Sequence, residues 1–338
     1  MNFNIIGYNC AFPDSFLKKQ VSVIKGTSYI LGNISADKSD VYYPSRSDEK
    51  IMRQDVKVSI LVMNHLIDEL NLKDNVAEIP LYVATGAFIE DSSKHLAKIS
   101  NQIQKFSKET TDVEKVKKIY RVSPPLVALE TLTNSTMSFI AQYVGFKNLN
   151  TTFGNTSISA YYAIKQAFNS LENKKFAVVN SSNCSGNHSF LTNSTIIEHH
   201  ENWKESSSVG CLVLSKSETD DDRNLCKISC LKNSNTIPDL ENTKIDRQWK
   251  SLLPDRKADL IIFSGAYTHF EFKLDLEYCK SLCPNVYSLY EEYGNMGVSN
   301  IVLSLIKGIE FLKKKYQKID ILDRDIYGRE SLIRIEKC

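Results

Sequence analysis

Residues 150–169 read NTTFGNTSISAYYAIKQAFN, and this stretch changes its pattern twice. A β-rich run comes first, a Gly/Asn/Thr/Ser corner follows, and the spacing of the remaining apolar residues predicts an amphipathic helix. Ser157 therefore lies at a predicted strand-to-helix turn. Because some acyl-transfer enzymes hold a nucleophile at such a turn, the first question is whether Ser157 is one.

Two physical interpretations of Ser157 are open. Backbone N–H groups and the positive end of a helix favour an anion or oxyanion at this position. Ser and Thr are also preferred N-cap residues, and Ser157 and Ser159 both precede or open the apolar helix. The corner has no G-x-S-x-G pattern, so the spacing favours capping.

The composition is that of a globular protein. Of its 338 residues, 42% are hydrophobic, which allows a substantial core. A net charge of +2 argues against a nucleic-acid partner. The chain does not open with a signal-peptide pattern, and it has no run of about 18 apolar residues, so we expect a cytoplasmic protein without a membrane span.

The sequence gives no basis for a cofactor or a metal ion. The eight Cys are scattered without a CxxC pair, which favours buried thiols in a reducing compartment. Neither GxGxxG nor a phosphate-binding P-loop pattern occurs. The adjacent pair His199 and His200 lacks HExxH spacing, and neighbouring side chains on a helix diverge. We therefore expect no metal site.

Short β-rich runs alternate with helical patterns along the chain. The runs are 3–7, 80–86, 149–153, 176–182, 210–216 and 259–265. Between the first two of them, residues 55–70 have apolar positions at helical spacing. This alternation is typical of an α/β protein with buried parallel or mixed sheets.

The chain also has a two-part rhythm. Strand–corner–helix units at 149–171 and 286–313 indicate a duplicated α/β fold, with halves predicted at 1–215 and 216–338. Residues 91–122, which are rich in Lys and Ser, are predicted to form a helical excursion at the surface. Residues 216–256 contain an acidic run and are predicted to link the two lobes.

The corner of the second unit reads YGNMGVSNI from Tyr293 and precedes an apolar helix. The Asn295 amide could donate to a carbonyl oxygen in a cleft. The alternative is a tight turn in which Gly residues allow close backbone approach and Asn295 caps the helix.

Among the six His, His269 is the best candidate for chemistry because it follows an apolar strand and a Ser-Gly corner.

Several landmarks occur in a characteristic order along the chain. They are RQD from Arg53, VATGA from Val83, VSPP from Val122, LTNST from Leu132, LNTTF from Leu149, YYAIKQA from Tyr161, FAVVNSSN from Phe176 and SVGCLVL from Ser208. In this order the chain resembles the β-ketoacyl synthases of the thiolase-like superfamily over nearly its whole length. The resemblance implies two similar α/β halves in five αβαβα layers. It also implies a dimer in which the strand near Leu149 and Phe153 pairs across the interface.

In condensing members of this family a Cys takes the acyl chain. Two His, or one His and one Asn, stabilise the thioester oxygen and promote decarboxylation, and a Lys often supports them. The resemblance places Ser157 at the Cys, Ala266 at the first His, Asn295 at the second His and Tyr290 at the Lys. All four positions depart from the usual set, so the resemblance implies a degenerate site and capping becomes the favoured role of Ser157.

This pattern resembles the non-condensing partner of a ketosynthase pair, the chain-length factor, although Gln replaces the Cys in well-known examples. Such a subunit forms a heterodimer with an active β-ketoacyl synthase, meets acyl carrier protein through the complex, and shapes the acyl tunnel in polyketide, polyene or specialised fatty-acid biosynthesis. The resemblance places the length-limiting surface at residues 132–144.

Two alternatives remain open. The first is a Ser157-dependent acyltransferase or priming enzyme that uses His269 and Asn295. A serine hydroxyl needs a base, and His269 lies three positions beyond the expected one. The second alternative is a homodimeric scaffold or regulator without either activity.

Overall fold

The computed structural model describes residues 3–20, 28–35, 48, 51–86, 111–114, 117, 133–154, 156–184, 203–216, 223–234, 249–254, 257–264, 269–325 and 328–338. Most of the predicted excursion at 91–122 lies outside these residues. None of the helices in these ranges combines the length and the apolar character that a bilayer crossing requires.

The described strands and helices alternate as the sequence pattern predicts. The strands are β1 (Phe3–Ala11), β2 (Ser15–Gln20), β3 (Ser28–Asn33), β4 (Leu81–Thr85), β5 (Asn150–Gly154), β6 (Phe176–Asn183), β7 (Trp203–Ser206), β8 (Ser208–Lys216), β9 (Cys226–Ser234), β10 (Leu260–Phe263), β11 (Val286–Ser288), β12 (Lys318–Arg324) and β13 (Glu330–Glu336). The helices are α1 (Gln54–Glu69), α2 (Thr133–Val144), α3 (Ile158–Ser170), α4 (Trp249–Leu252), α5 (His269–Leu282), α6 (Leu289–Tyr293) and α7 (Asn300–Lys314). Two 3₁₀ turns are Lys73–Glu78 and Gly297–Ser299.

Ten strands form one sheet in the order β11-β10-β12-β13-β9-β1-β8-β6-β4-β5. This sheet consists of two groups of five strands. When the strands of each group are numbered along the chain, both groups have the same order, 3-2-4-5-1. The groups meet where β1 pairs antiparallel with the first residues of β9, from Phe3↔Ile228 to Ile5↔Cys226. The repeated order confirms the duplicated α/β fold.

Helices complete five layers around the two groups of strands. α1 and α2 pack on the outer face of the first group, α3 and α7 lie between the groups, and α5 packs on the outer face of the second. Side chains alternate accordingly along β4, where Leu81 and Val83 face the outer cluster while Tyr82 and Ala84 face the central one. The first half of α7, residues 300–306, is buried on all sides because strands of both groups and α3 contact this helix.

The prediction that residues 216–256 form a surface excursion linking the two lobes is wrong for residues 226–234. β9 lies inside this segment and pairs along its length with β13, as well as with β1. The sequence CKISCLKNS gives only a weak strand pattern, because most of the β9 side chains are partly buried and the apolar run is short.

A smaller sheet has the order β2-β3-β7. β2 and β3 are antiparallel, whereas β3 and β7 are parallel. A single bridge between Glu205 of β7 and Asn295 joins this sheet to the second corner. The small sheet therefore supports one of the two positions that the sequence singles out.

Candidate functional site

Ser157 stands at the start of α3 and is fully buried. Its backbone is already helical, with φ −55° and ψ −33°, and its hydroxyl accepts no hydrogen bond from the helix. Instead, the Ser157 hydroxyl donates to Oδ2 of Asp323 over 2.6 Å. The capping interpretation is therefore wrong, since a capping residue usually has an extended backbone that turns its oxygen toward the helix N–H groups.

The neighbouring hydroxyls also donate away from the helix N–H groups. Ser159 donates to the carbonyl oxygen of Gly154 over 2.7 Å, and Thr156 donates to Oδ2 of Asp325 over 2.9 Å. Among the residues that the structure describes here, backbone groups close the first turn of α3, as the Ser159 and Ala160 N–H groups donate to the carbonyls of Thr156 and Ser157. The local Ser/Thr spacing does not reveal this pattern because the acceptors of Thr156 and Ser157 lie in the other half of the fold.

Asp323 lies between two hydroxyls near the carboxyl end of β12. Ser264, the first residue after β10, donates to its Oδ1, and Ser157 donates to its Oδ2. β10 and β12 are parallel and pair Phe263 with Leu322, so the next residues, Ser264 and Asp323, lie side by side. Burial raises the pKa of the Asp323 carboxyl to about 7; hydrogen bonds from Ser157 and Ser264 oppose this rise, and the charge of Asp325 adds to it.

A second carboxylate, Asp325, ties the same corner to the turn after β12. Arg329 donates to Oδ2 of Asp325 from Nε over 2.7 Å and from Nη2 over 2.5 Å. The Arg329 Nη2 group also donates to the Thr156 hydroxyl over 3.0 Å. Asp325 is buried while the Arg329 side chain is partly exposed, so the ion pair extends from the corner toward the surface.

The second corner is held by its own residues and by β7. Oδ1 of Asn295 accepts hydrogen bonds from the Gly297 N–H and from Nδ2 of Asn300, both over 3.0 Å. The backbone of Asn295 donates to the Lys204 carbonyl and accepts from the Ser206 N–H, both over 2.9 Å. The Asn295 NH2 group is the part of the side chain that could donate to a ligand carbonyl, and the contacts of Oδ1 within the turn fix its direction.

Tyr290 occupies the position where the resemblance places a Lys. Its buried hydroxyl accepts from the Lys204 N–H over 3.5 Å. Burial raises the pKa of the Tyr290 phenol to about 12, with the Lys204 hydrogen bond opposing the rise. At neutral pH this position therefore carries no charge, in contrast to an ammonium group.

The structure brings some predicted residues together and leaves others outside its description. The 3₁₀ turn Gly297–Ser299 packs against α3, so the two corners are neighbours, and Tyr290 and Asn295 both contact the backbone of Lys204. Ala266, His199, His200 and the side chain of His269 lie outside the described part of the chain. Within that part, no group of three or more His, Cys, Asp or Glu is arranged to hold a metal ion.

Sequence reasoning missed the two carboxylates of the site. The signal lies in residues 318–325, which read KIDILDRD, where Asp residues interrupt an apolar strand at its carboxyl end. Ligand sites of α/β folds collect at that end of a strand. Asp323 was missed because only His residues were considered as a base for Ser157.

Comparison with known proteins places this geometry in a fold family. No protein-family model matches the chain, and no curated protein matches it. Solved structures do match over its full length, and they show that the chain has the thiolase-like fold of the ketosynthases. This agrees with the fold that the sequence resemblance implies.

Three of these structures illustrate the similarity. One is a type II polyketide synthase acyl-carrier protein in complex with its ketosynthase bound to the hexaketide, with a TM-score of 0.73, 15% identity and coverage of 100% of this chain and 99% of that chain. Another is the ishigamide ketosynthase/chain length factor, with a TM-score of 0.75, 10% identity and coverage of 100% and 99%. A third is ketosynthase twelve of the bacillaene polyketide synthase in Bacillus amyloliquefaciens, with a TM-score of 0.69, 11% identity and coverage of 100% and 73%.

Proposed function

We propose that this chain is a non-condensing ketosynthase-like subunit. It pairs with an active β-ketoacyl-[acyl carrier protein] synthase and shapes the acyl tunnel or the product length in polyketide, polyene or specialised fatty-acid biosynthesis. The observation that carries the proposal is the hydrogen bond from the Ser157 hydroxyl to the buried Asp323. At the position where the sequence resemblance places the family's thiol, the chain has a hydroxyl that donates to an acidic group.

Condensation requires a group that attacks one thioester and later leaves another. A thiolate does both, and a nearby cation or helix terminus favours it by lowering its pKa. A Ser157 hydroxyl is far less acidic, and an ionised Asp323 beside it disfavours a second negative charge. The uncharged phenol of Tyr290 offers no compensating cation. These features together support a subunit that does not condense.

The edge of the large sheet supports pairing with another subunit. Among the described strands, β5 pairs with β4 alone and ends the sheet. Leu149, next to β5, leaves 56% of its surface exposed. An edge strand with an exposed apolar neighbour is suited to pair with a second chain. The neighbouring ketosynthase/chain length factor structure supports an active synthase as that second chain.

Helix α2 is suited to the length-limiting role. It packs against β4 and β5, which places it beside the edge where the partner would pair. On α2, Ile140 is fully buried, whereas Met137 and Phe139 are partly buried. A bulky side chain at the end of a packed tunnel stops a growing chain, because close-packed interiors yield little to additional carbon atoms.

The pairing can be tested with two matched surface variants. Co-expression with a condensing β-ketoacyl synthase from the same genome should yield a heterodimer, and Leu149→Asp should abolish its co-purification by placing a charge at the sheet edge. Val113→Asp is the control, since Val113 is also exposed but lies outside β5. If Leu149→Asp pairs as well as the wild type, the edge-strand interface is wrong. If the wild-type chain stays apart and the synthase alone makes full-length product, the proposed function fails.

A second candidate is the Ser157-dependent acyltransferase or priming enzyme with His269 and Asn295. One observation favours it: the Ser157 hydroxyl already donates to a group that could accept its proton. That group is Asp323 and not the predicted base, His269. Incubation with an acyl thioester, followed by intact mass measurement, separates the two functions. A covalent adduct that disappears in Ser157→Ala would favour the acyltransferase.

A further inference from the structure

We infer that Asp323 is the residue that excludes a thiolate from the first corner, so that replacing Ser157 with Cys would not by itself restore a condensing nucleophile. This inference rests on the proposed non-condensing function and deepens it. On this inference, the first corner differs from a condensing site by more than the exchange of Cys for Ser at position 157. It is built around a carboxyl group that touches the side chain at position 157.

The Asp323 carboxyl is held in place from several sides. Ser264 donates to one of its oxygens and Ser157 to the other. Its backbone belongs to β12, which lies between β10 and β13, and Asp323 pairs with Ser331 in β13. The whole residue is buried. The carboxyl therefore cannot turn toward water to make room for a second negative group.

A thiolate at position 157 would meet the negative charge of Asp323 without water between them. Two acidic groups in contact lose their protons in two separated steps, and the second ionisation is strongly disfavoured. Asp325 adds further negative charge, while the guanidinium of Arg329 already pairs with Asp325. The charges around the corner therefore oppose the ionised form of a thiol.

The helix terminus is too weak to offset this opposition. The start of a helix contributes roughly half of one positive elementary charge, spread over several N–H groups. The ionised carboxylate carries a full negative charge, and Oδ2 lies 2.6 Å from the Ser157 oxygen. Burial alone also disfavours thiolates in this protein, since it raises the pKa of the Cys211 thiol to about 12, with the Asn180 hydrogen bond opposing this rise. Both comparisons favour a neutral thiol at position 157.

The inference predicts how fast a thiol introduced at position 157 reacts. The full chain would be prepared as Ser157→Cys, as the double variant with Asp323→Asn, and as a control double variant with Asp325→Asn. Each would be alkylated with iodoacetamide across pH 7–10. Trypsin releases residues 148–165, which contain no native Cys, so mass spectrometry measures position 157 separately. The exposed Cys338 gives the reagent's reference rate in every sample.

At pH 8 we expect Asp323→Asn to accelerate alkylation of the introduced thiol by about tenfold or more, which corresponds to a thiol pKa lower by about one. The Asp325→Asn control should change the rate by less than about threefold, because the Ser157 hydroxyl donates to Asp323 while Asp325 accepts from the neighbouring Thr156. Equal rates with and without Asp323→Asn would overturn the inference.

Two further measurements keep the result decisive. Alkylation of the buried Cys211 reports unfolding, and if the Asn variant exposes it, Asp323→Leu replaces it as a second neutral variant of similar size. Exposure of wild-type chain and Asp323→Asn to an acyl thioester tests the opposite role. An adduct on wild-type Ser157 that Asp323→Asn lacks would make Asp323 a base and overturn the inference. All these experiments use the isolated chain, so a failure to pair with a synthase leaves them unaffected.

Discussion

The two corners occupy corresponding places in the duplicated fold, yet their side chains are satisfied in different ways. At the first corner, Ser157 and Thr156 donate to Asp323 and Asp325, which belong to the other half of the chain. At the second corner, the Asn295 amide oxygen accepts from donors two and five positions later. The same topology thus gives one corner whose side chains bind the opposite half of the fold and one whose Asn295 side chain is satisfied within its own turn, while its backbone pairs with β7.

The difference has a functional meaning. A corner that carries charged groups from the opposite half can be converted by substitutions far away in sequence, as the pair of Ser157 and Asp323 illustrates. The second corner, whose Asn295 side chain is satisfied within the turn and whose backbone is bound to β7, serves as a support. We therefore propose that the chemical difference from condensing ketosynthases lies at the first corner, and three predictions test the contrast between the corners.

The largest effect is expected at Gly297 of the second corner. Its φ of +51° lies in the left-handed region, and an added Cβ would contact the buried Asn183 amide. Gly297→Ala should lower the free energy of unfolding by about 3 kcal/mol, through backbone strain and overpacking together. Urea unfolding of the wild type and the variant measures this loss in the free energy of unfolding. Gly145→Ala shows the effect of backbone strain without crowding, because Gly145 has a φ of +102° and its added Cβ meets only Val76 at 3.4 Å. A loss at Gly297 of no more than about 1 kcal/mol, the cost of one left-handed residue, would show that crowding by Asn183 contributes nothing.

The next effect is a pH dependence at the first corner. The pKa of Asp323 is raised in the folded state to about 7, so between about pH 4 and pH 7 the folded protein binds more protons than the unfolded chain. Stability is therefore lost as the pH rises from about 4, the ordinary pKa of the unfolded carboxyl, to about 7. From pH 5 to pH 8, Asp323 should lower the free energy of unfolding by about 2–3 kcal/mol, and Asp323→Asn should remove this part. Identical pH profiles for the two proteins would contradict the buried, ionisable Asp323.

The smallest effect compares two hydroxyls of the first corner. At pH 8, Ser157→Ala removes a hydrogen bond to a charged group and should cost about 2 kcal/mol. Ser159→Ala removes a hydrogen bond to the neutral Gly154 carbonyl and should cost about 1 kcal/mol. Thermal and urea unfolding of both variants checks the order. If Ser159→Ala costs more, the carboxylate contact is not what stabilises this corner.

Sequence patterns predict the fold well because its elements are encoded locally. The predicted helix at 55–70 is α1, and the predicted runs at 80–86 and 176–182 correspond to β4 and β6. β9 escaped prediction because its side chains are mostly half-buried and its apolar positions are few. Burial of that kind depends on neighbours that a single strand does not reveal.

The candidate site is less predictable for the same reason. The resemblance identifies Ser157, Tyr290 and Asn295 as degenerate positions, but the partner of Ser157 is 166 residues away. No local spacing distinguishes a serine that caps a helix from one that donates to a distant carboxylate. The roles of Ala266 and His269 stay predictions.

The central claim is that this chain pairs with a condensing synthase but does not itself carry the acyl chain. Native and intact mass spectrometry of the co-expressed pair, after incubation with an acyl thioester, tests it most directly. We predict a one-to-one heterodimer in which only the synthase gains the acyl mass. A chain that forms no complex with the synthase, or that gains the acyl mass at Ser157, would contradict the claim.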